Sequence, residues 1–350
     1  MSFAVIGAGN TGQAIACYLT LQGKKVKLYS GCPKKVEVLS HRGLELKGMY
    51  SARLSIEASI NIEEVIKDAE FIIITTTSFG HKPIFKQLKP FLQSNQTIAI
   101  FPGYWGAVEC KEILGPIIDE KNITIAETSA MPFVSKADNV GTVYINKIKN
   151  NVQISVMPTP MNLSISKTFL EAFPQLIPAN NIFETSLNNT NVVIHTPITL
   201  FNASRIDASE EFKFYGHGVS PLTVTYIEKL DKERKDIADL FKVQTKDILT
   251  ILNEFYGTNY SSLYDALPGL FPDAMAPTTL NQRYITEDIP YGLVPISELG
   301  RKVGIKTPYT DSIIETASLL INRDFRTEGV NFNGITKEGI ASLGGLTQYS

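Results

Sequence analysis

Short β-branched runs alternate with helical apolar patterns over roughly the first 130 residues, the sequence form of a parallel sheet covered by helices on both faces. The predicted strands are Phe3–Ile6, Lys25–Tyr29, Phe71–Thr75, Thr97–Phe101 and Ile123–Glu127. Between the second and third, Gly43–Gly48 and Ala52–Ala58 alternate apolar with polar positions, a period of two that predicts an antiparallel hairpin inserted in the sheet. Strands at Gly141–Asn146 and Val152–Val156 and a helix over Asn162–Phe173 complete a first domain, residues 1–186. In residues 187–350 the apolar spacing changes to three and four, over Asn189–Ala203, Pro221–Phe241 and Thr245–Glu254, which predicts a helix bundle. A stretch rich in Pro, Gly and Tyr, Gly257–Pro295, reads as loop and precedes helices at Ser297–Val303 and Tyr309–Asn322. Ordered loops of that length are commonly functional.

The chain has 350 residues, more than one hydrophobic core usually organises, so each half has enough chain for a core of its own. A formal net charge of −2 leaves no basic excess to neutralise a phosphate backbone, which argues against a nucleic-acid partner. No apolar run approaches a bilayer span, and Met1-Ser2-Phe3-Ala4-Val5-Ile6 lacks the basic segment of a secretory signal, so no membrane partner and a cytoplasmic location are expected. Cys17, Cys32 and Cys110 make no cluster with the four histidines at metal-ligand spacing, so neither structural zinc nor a disulfide framework is expected. No heptad marks an interface, and the oligomeric state stays open, a homodimer included.

Gly7-Ala8-Gly9-Asn10-Thr11-Gly12 matches G-x-G-x-x-G, directly after the first strand and directly before an apolar helix. The first glycine permits the tight turn, the second lets backbone approach a pyrophosphate, and the third lets helix and strand pack closely. The helix N-terminus offers free N–H groups to phosphates. The first half therefore reads as an α/β, Rossmann-type dinucleotide-binding domain, followed by an all-α domain. Enzymes of this kind that use NAD usually place Asp or Glu at the end of the second strand. Here that segment is Tyr29-Ser30-Gly31-Cys32-Pro33-Lys34-Lys35: Ser30 stands where a carboxylate would repel a 2′-phosphate, and Lys34 and Lys35 follow. The local charge favours NADPH over NADH, although two lysines at a helix start are also ordinary solvated charges. Two more turns lie at carboxyl ends of strands. Thr75-Thr76 is placed to line the ribose and pyrophosphate, and Pro102-Gly103-Tyr104-Trp105-Gly106 to bring backbone toward a nicotinamide, if either is more than a loop.

His195 stands soon after the domain boundary, in Val193-Ile194-His195-Thr196-Pro197. A carbonyl or imine that accepts hydride needs a proton donor at its heteroatom, and histidine titrates nearest to neutral pH. A lone histidine among apolar residues is also commonly a core residue. His41 and His81 fall in the first domain, and His217 lies between glycines.

Three stretches of the second half carry a more specific signal: His195-Thr196-Pro197 with Leu200 and Asn202; Arg283-Tyr284 through Glu287-Asp288-Ile289-Pro290-Tyr291-Gly292-Leu293-Val294-Pro295; and Gly304-Ile305-Lys306-Thr307-Pro308-Tyr309-Thr310-Asp311. With Pro102-Gly103 and Glu127-Thr128, they resemble the octopine dehydrogenase family of opine dehydrogenases over nearly the whole chain. The resemblance implies a reductive condensation in which the amine of an amino acid attacks a 2-oxo acid such as pyruvate, water leaves, and hydride reduces the imine. It also implies a catalytic pair of histidine and aspartate at His195 and Asp311, the carboxylate orienting and charging the imidazole. Thr196 interrupts the family's His-Pro, and Lys306 stands where some members carry arginine, keeping the charge without the bidentate geometry. Asp311 at a helix start is also an ordinary N-terminal charge.

Two substrate carboxylates call for cations, and Arg205, Arg283, Arg301 and Lys306 are available. Arg283 is preferred because it lies in the family-like loop, with Lys306 and Asn202 as further substrate-binding candidates. Tyr284 and Tyr291 read as packing. Two rivals share the cofactor fold: a ketopantoate-reductase-like 2-oxo acid or hydroxy-acid oxidoreductase, and a non-catalytic NADPH sensor.

Overall fold

The structure is a computed structural model that describes residues 1–157, 163–332 and 339–340, and the chain forms two compact units, Met1–Thr185 and Ser186–Ser350. Among the described residues the first carries twelve strands: β1 (Ser2–Ile6), β2 (Lys25–Tyr29), β3 (Leu44–Gly48), β4 (Ala52–Leu54), β5 (Glu57–Ser59), β6 (Phe71–Ile74), β7 (Thr97–Ile100), β8 (Thr124–Thr128), β9 (Phe133–Asn139), β10 (Thr142–Ile148), β11 (Val152–Met157) and β12 (Leu176–Pro178). Eight form one sheet in the order β12-β11-β8-β7-β6-β1-β2-β5. It is parallel from β5 to β8, and β11 reverses direction against β8. Every residue of β6 and β7 is buried, which is why their sequences, Phe71-Ile72-Ile73-Ile74 and Thr97-Ile98-Ala99-Ile100, run without alternation. The helix Leu163–Ala172 brings Phe169 edge-on to Phe71 at 4.7 Å, and the following Phe173 meets Phe101 at 5.4 Å. Asn162, included in the predicted helix, lies outside the described residues.

The predicted hairpin forms, but not in this sheet. β3 and β4 pair antiparallel and join β10 and β9 in a separate sheet of order β4-β3-β10-β9. The end of the second predicted run, Glu57–Ser59, separates from the hairpin and pairs with β2. Two glycines explain the departure. Gly43 and Gly48 adopt φ of +67° and +93°, and a Cβ at either would lie 2.3 Å from a carbonyl oxygen, of Leu54 and Ile145 respectively. At Gly43 the close approach is to β4 and tightens the hairpin itself, and at Gly48 it is to β10, which seats the hairpin there. β9 escaped prediction because Phe133-Val134-Ser135-Lys136-Ala137-Asp138-Asn139 barely alternates.

The second unit is helical: among the described residues its strand-like pairing is one isolated bridge, Lys213 to Met275. Its longest helix is Pro221–Leu240, capped by Ser220 Oγ, which accepts from Thr223 N. Arg234 on this helix is fully buried. It pairs with Asp231 and donates to the carbonyls of Leu187 and Lys246, while Asp231 accepts from Ile248 N at the start of the next helix. Glu233 accepts from Tyr309 N, Thr310 N and the Thr310 hydroxyl, so it caps the helix Pro308–Ile321 from outside. The Gly257–Pro295 stretch, expected as loop, contains the helix Leu263–Leu270, a single turn Arg283–Thr286 and a π-helical turn Ile289–Leu293, which runs on into the helix Val294–Val303. Among the described residues no helix is long and apolar enough to cross a membrane. Arg234→Ala leaves the Asp231 carboxylate buried without its counter-charge and is expected to lower unfolding stability by about 3–5 kcal/mol. Urea unfolding checks this, and an unchanged midpoint would refute the role given to the pair.

Candidate active site

The glycine turn has the geometry that its motif demands. Gly7 adopts φ +113°, and a Cβ on Gly12 would lie 1.7 Å from the Gly7 carbonyl oxygen, so only glycine lets the helix seat against β1. A Cβ on Gly9 would meet no atom of the described residues within 4 Å, which leaves the open approach that a pyrophosphate needs. The helix Asn10–Leu21 starts there, and the N–H groups of Asn10, Thr11 and Gly12 precede its first bond, Gln13 N to Gly9 O at 3.0 Å. These residues fit a dinucleotide.

Thr75 is tied to the glycine turn itself. Its hydroxyl lies 2.9 Å from the Ile6 carbonyl and 3.1 Å from that of Gly7, so it fixes the turn. Thr76 follows at the same edge, with its methyl 3.3 Å from where a Gly7 Cβ would stand. Ser30 is buried and accepts from Cys32 N, and no carboxylate replaces it at the end of β2. Lys35 brings its ammonium 3.5 Å from the Ala8 carbonyl in the glycine turn, whereas Lys34 is exposed. A Gly103 Cβ would lie 2.6 Å from the Glu127 carboxyl carbon and a Gly106 Cβ 2.9 Å from His81 Nδ1, so both glycines make room for the protein's own side chains. Glu127 is buried and accepts from Ala107 N and the Thr185 hydroxyl. Burial lowers the His81 pKa to about 4, so this ring stays neutral near pH 7.

In the helical unit His195 lies on the helix Asn191–Phe201, and both of its ring nitrogens are engaged. Nδ1 is 2.7 Å from Asp288 Oδ2 and Nε2 is 3.0 Å from the Tyr215 hydroxyl. Tyr284 stacks on the imidazole at 4.1 Å between centroids and 31° between planes. His195 and Asp288 are 7% and 2% exposed, so the pair is shielded from water and its electrostatic attraction is strong. Local backbone explains the meeting. Asp288 precedes the π-helical turn, where Leu293 N bonds Asp288 O at 3.1 Å, and a Cβ on Gly292 of that turn would lie 2.1 Å from Val192 Cγ1. Glycine therefore lets the turn press against the His195 helix.

Residues 178–321 match the helical domain described as NAD/NADP octopine/nopaline dehydrogenase, and residues 2–109 match the N-terminus of NAD-dependent glycerol-3-phosphate dehydrogenase. The opine dehydrogenase of Arthrobacter sp. (strain 1C) is 32% identical over 97% of this chain and 98% of its own. The chain belongs to the opine dehydrogenases. It is an NAD(P)-dependent oxidoreductase of the kind that acts on CH–NH donors. Octopine dehydrogenase solved with NADH and pyruvate shares the fold, with a TM-score of 0.76 at 19% identity over 98% of both chains. Yersinopine dehydrogenase with NADP+ bound also superposes at 0.76, with 14% identity over 92% of this chain and 91% of that one.

In this opine dehydrogenase the aspartate paired with His195 is Asp288, which corrects the expectation of Asp311. Asp311 instead accepts from Ser297 Oγ at 2.5 Å and Arg326 Nη2 at 2.7 Å. Burial pulls its pKa up, but the hydrogen bonds from Ser297 and Arg326 outweigh that and hold the carboxyl below its ordinary range. Its valences go to tying three helices together. Asn202 is likewise engaged: Nδ2 donates to the carbonyls of Ile198 and Gly218, both at 2.8 Å, and Oδ1 accepts from Arg205. It anchors the helix end, which corrects its assignment to substrate. Arg283 is exposed, and its guanidinium lies 5.9 Å from the Tyr284 ring that covers His195, so it stands beside the pair. Lys306 is exposed ahead of the helix carrying Asp311.

Asp288 and Tyr215 were the residues missed. Asp288 had a signal: an acid opening the run Ile289-Pro290-Tyr291-Gly292-Leu293-Val294-Pro295 is seldom left in water. Asp288→Asn is expected to lower kcat by about 10³–10⁴-fold, by analogy with a carboxylate that fixes a histidine tautomer. Asp311→Asn should lower the thermal midpoint and change kcat little. Steady-state kinetics of both variants decide, and the reverse order of kcat losses would restore Asp311 to the pair.

Proposed function

We propose that the protein uses NADPH to condense the amine of an amino acid with a 2-oxo acid, pyruvate being the first candidate, and to reduce the resulting imine to a secondary amine dicarboxylic acid. The buried His195–Asp288 pair carries this reading. A carboxylate only accepts hydrogen bonds, so Asp288 fixes the ring with a proton on Nδ1 and leaves Nε2 to give and take protons. Two steps need that service. The adduct of amine and carbonyl loses its oxygen as water only when that oxygen is protonated, and the imine nitrogen ends with one proton more. The cofactor, when bound, supplies the hydride. Arg283, beside Tyr284, is the cation placed to take a substrate carboxylate in the bidentate manner.

The preference for NADPH rests on the end of β2. Ser30 sets no negative charge against a 2′-phosphate, and Lys34 and Lys35 open the helix Pro33–Arg42 that follows. A 2-oxo acid reductase of the ketopantoate type would have no use for an amine, which makes the amine requirement the deciding observation. Loss of reduced nicotinamide absorbance is expected only when an amino acid and a 2-oxo acid are both present. Oxidation with the 2-oxo acid alone would give the case to the hydroxy-acid reading, and none with any pair would favour a sensor. kcat/KM should be higher with NADPH than with NADH, and a ratio below one would overturn the cofactor assignment. His195→Ala should lower kcat by about 10²–10⁴-fold, and full activity in that variant would remove it from the mechanism.

A further inference from the structure

We infer that Tyr215 carries the proton between His195 and the substrate, an inference that rests on the opine dehydrogenase reading above. The geometry leaves His195 little alternative. With Asp288 on Nδ1, the remaining route for a proton is Nε2, and Nε2 meets the Tyr215 hydroxyl at 3.0 Å. The ring cannot swing to another partner without breaking its bond to Asp288, and Tyr284 lies across its face at 4.1 Å. Tyr215 is itself held, with Phe214 and Phe271 packed against its ring at 5.0 and 4.8 Å.

The hydroxyl has the valences of a relay. It offers one donor and two acceptor positions, and among the described residues its hydrogen-bond partner is His195. Beside a neutral imidazole it donates to Nε2. Beside a charged imidazole it accepts from Nε2–H, and its own hydrogen is released toward the substrate. Burial pushes the phenol pKa well above its ordinary value; the hydroxyls of Tyr284 and Tyr256 and the Asp288 carboxylate add to this, and Arg283 opposes it. A free phenolate is therefore avoided, and the hydroxyl gives up its proton as it takes another. In the reduction step the Oη–H bond breaks as that proton joins the imine nitrogen. The Nε2–H bond breaks as its proton moves to Oη, while a bound nicotinamide would supply the hydride for the new C–H bond. The imidazole ends neutral, with Nδ1–H still on Asp288.

Tyr215→Phe tests this. With [4-²H]NADPH used to confirm that the hydride step limits kcat, the parent should show a bowed dependence of kcat on the deuterium content of the solvent, the sign of two protons moving together. The variant should lose about tenfold or more in kcat, and its dependence should become linear. A variant within about twofold of the parent, or one that keeps the bowed dependence, would overturn the relay. Should the variant fold poorly, fluorinated tyrosines of graded acidity placed at position 215 keep the hydroxyl. The relay then predicts that kcat and its solvent isotope effect change with the acidity of that hydroxyl, and a flat response across the series refutes it. The parent's need for both substrates tests the opine reading separately, because the ratio of variant to parent is equally readable on a 2-oxo acid reduced alone. A parent that reduces neither overturns both.

Discussion

A carboxylate removed from water is tolerated only with a partner that returns the lost interaction, and Asp288 has that partner in His195. Much of the helical unit follows from satisfying it. The π-helical turn after Asp288, the absence of a side chain at Gly292 against Val192, and the stacking of Tyr284 all hold the aspartate and the imidazole in one fixed relation. The same constraint gives the imidazole its chemistry, because the group that compels the pairing also fixes which ring nitrogen is left to exchange a proton.

Buried acids do comparable work elsewhere. Asp231 joins Arg234 to the start of the helix Ile248–Tyr256, Glu233 caps the helix Pro308–Ile321, and Glu127 receives Ala107 N and the Thr185 hydroxyl. Each binds an element remote in sequence through backbone donors or a fixed cation, so each specifies packing as well as contributing to it. Asp311, only half-buried, does similar work, joined to Ser297 and Arg326. Placing an acid at a helix start cannot by itself say whether it serves a helix or a reaction.

The parts of the fold legible in the sequence were those governed by local rules. Continuous apolar runs located β1, β6 and β7, and the glycine spacing located the dinucleotide turn, because a positive φ at Gly7 and a close approach at Gly12 leave no other residue acceptable. What was not legible depended on contacts between distant segments. The hairpin β3–β4 alternates as a hairpin must, yet nothing in it says which sheet it joins, and β10 lies some 90 residues on. Likewise the choice of Asp288 over Asp311 is made by Gly292 and the π-helical turn, whose effect on register no pattern of apolar residues announces. The packing need for Gly103 and Gly106 was hidden for the same reason, since the side chains that require them, Glu127 and His81, are supplied by other elements.

The most direct test of the central claim is the nitrogen-15 NMR spectrum of the His195 side chain at neutral pH, assigned by comparison with His195→Gln. If Asp288 fixes the ring, the neutral form carries its proton on Nδ1, and Asp288→Asn shifts that resonance while Asp311→Asn leaves it in place. A neutral ring protonated on Nε2, or one that responds to Asp311 and not to Asp288, would contradict the account.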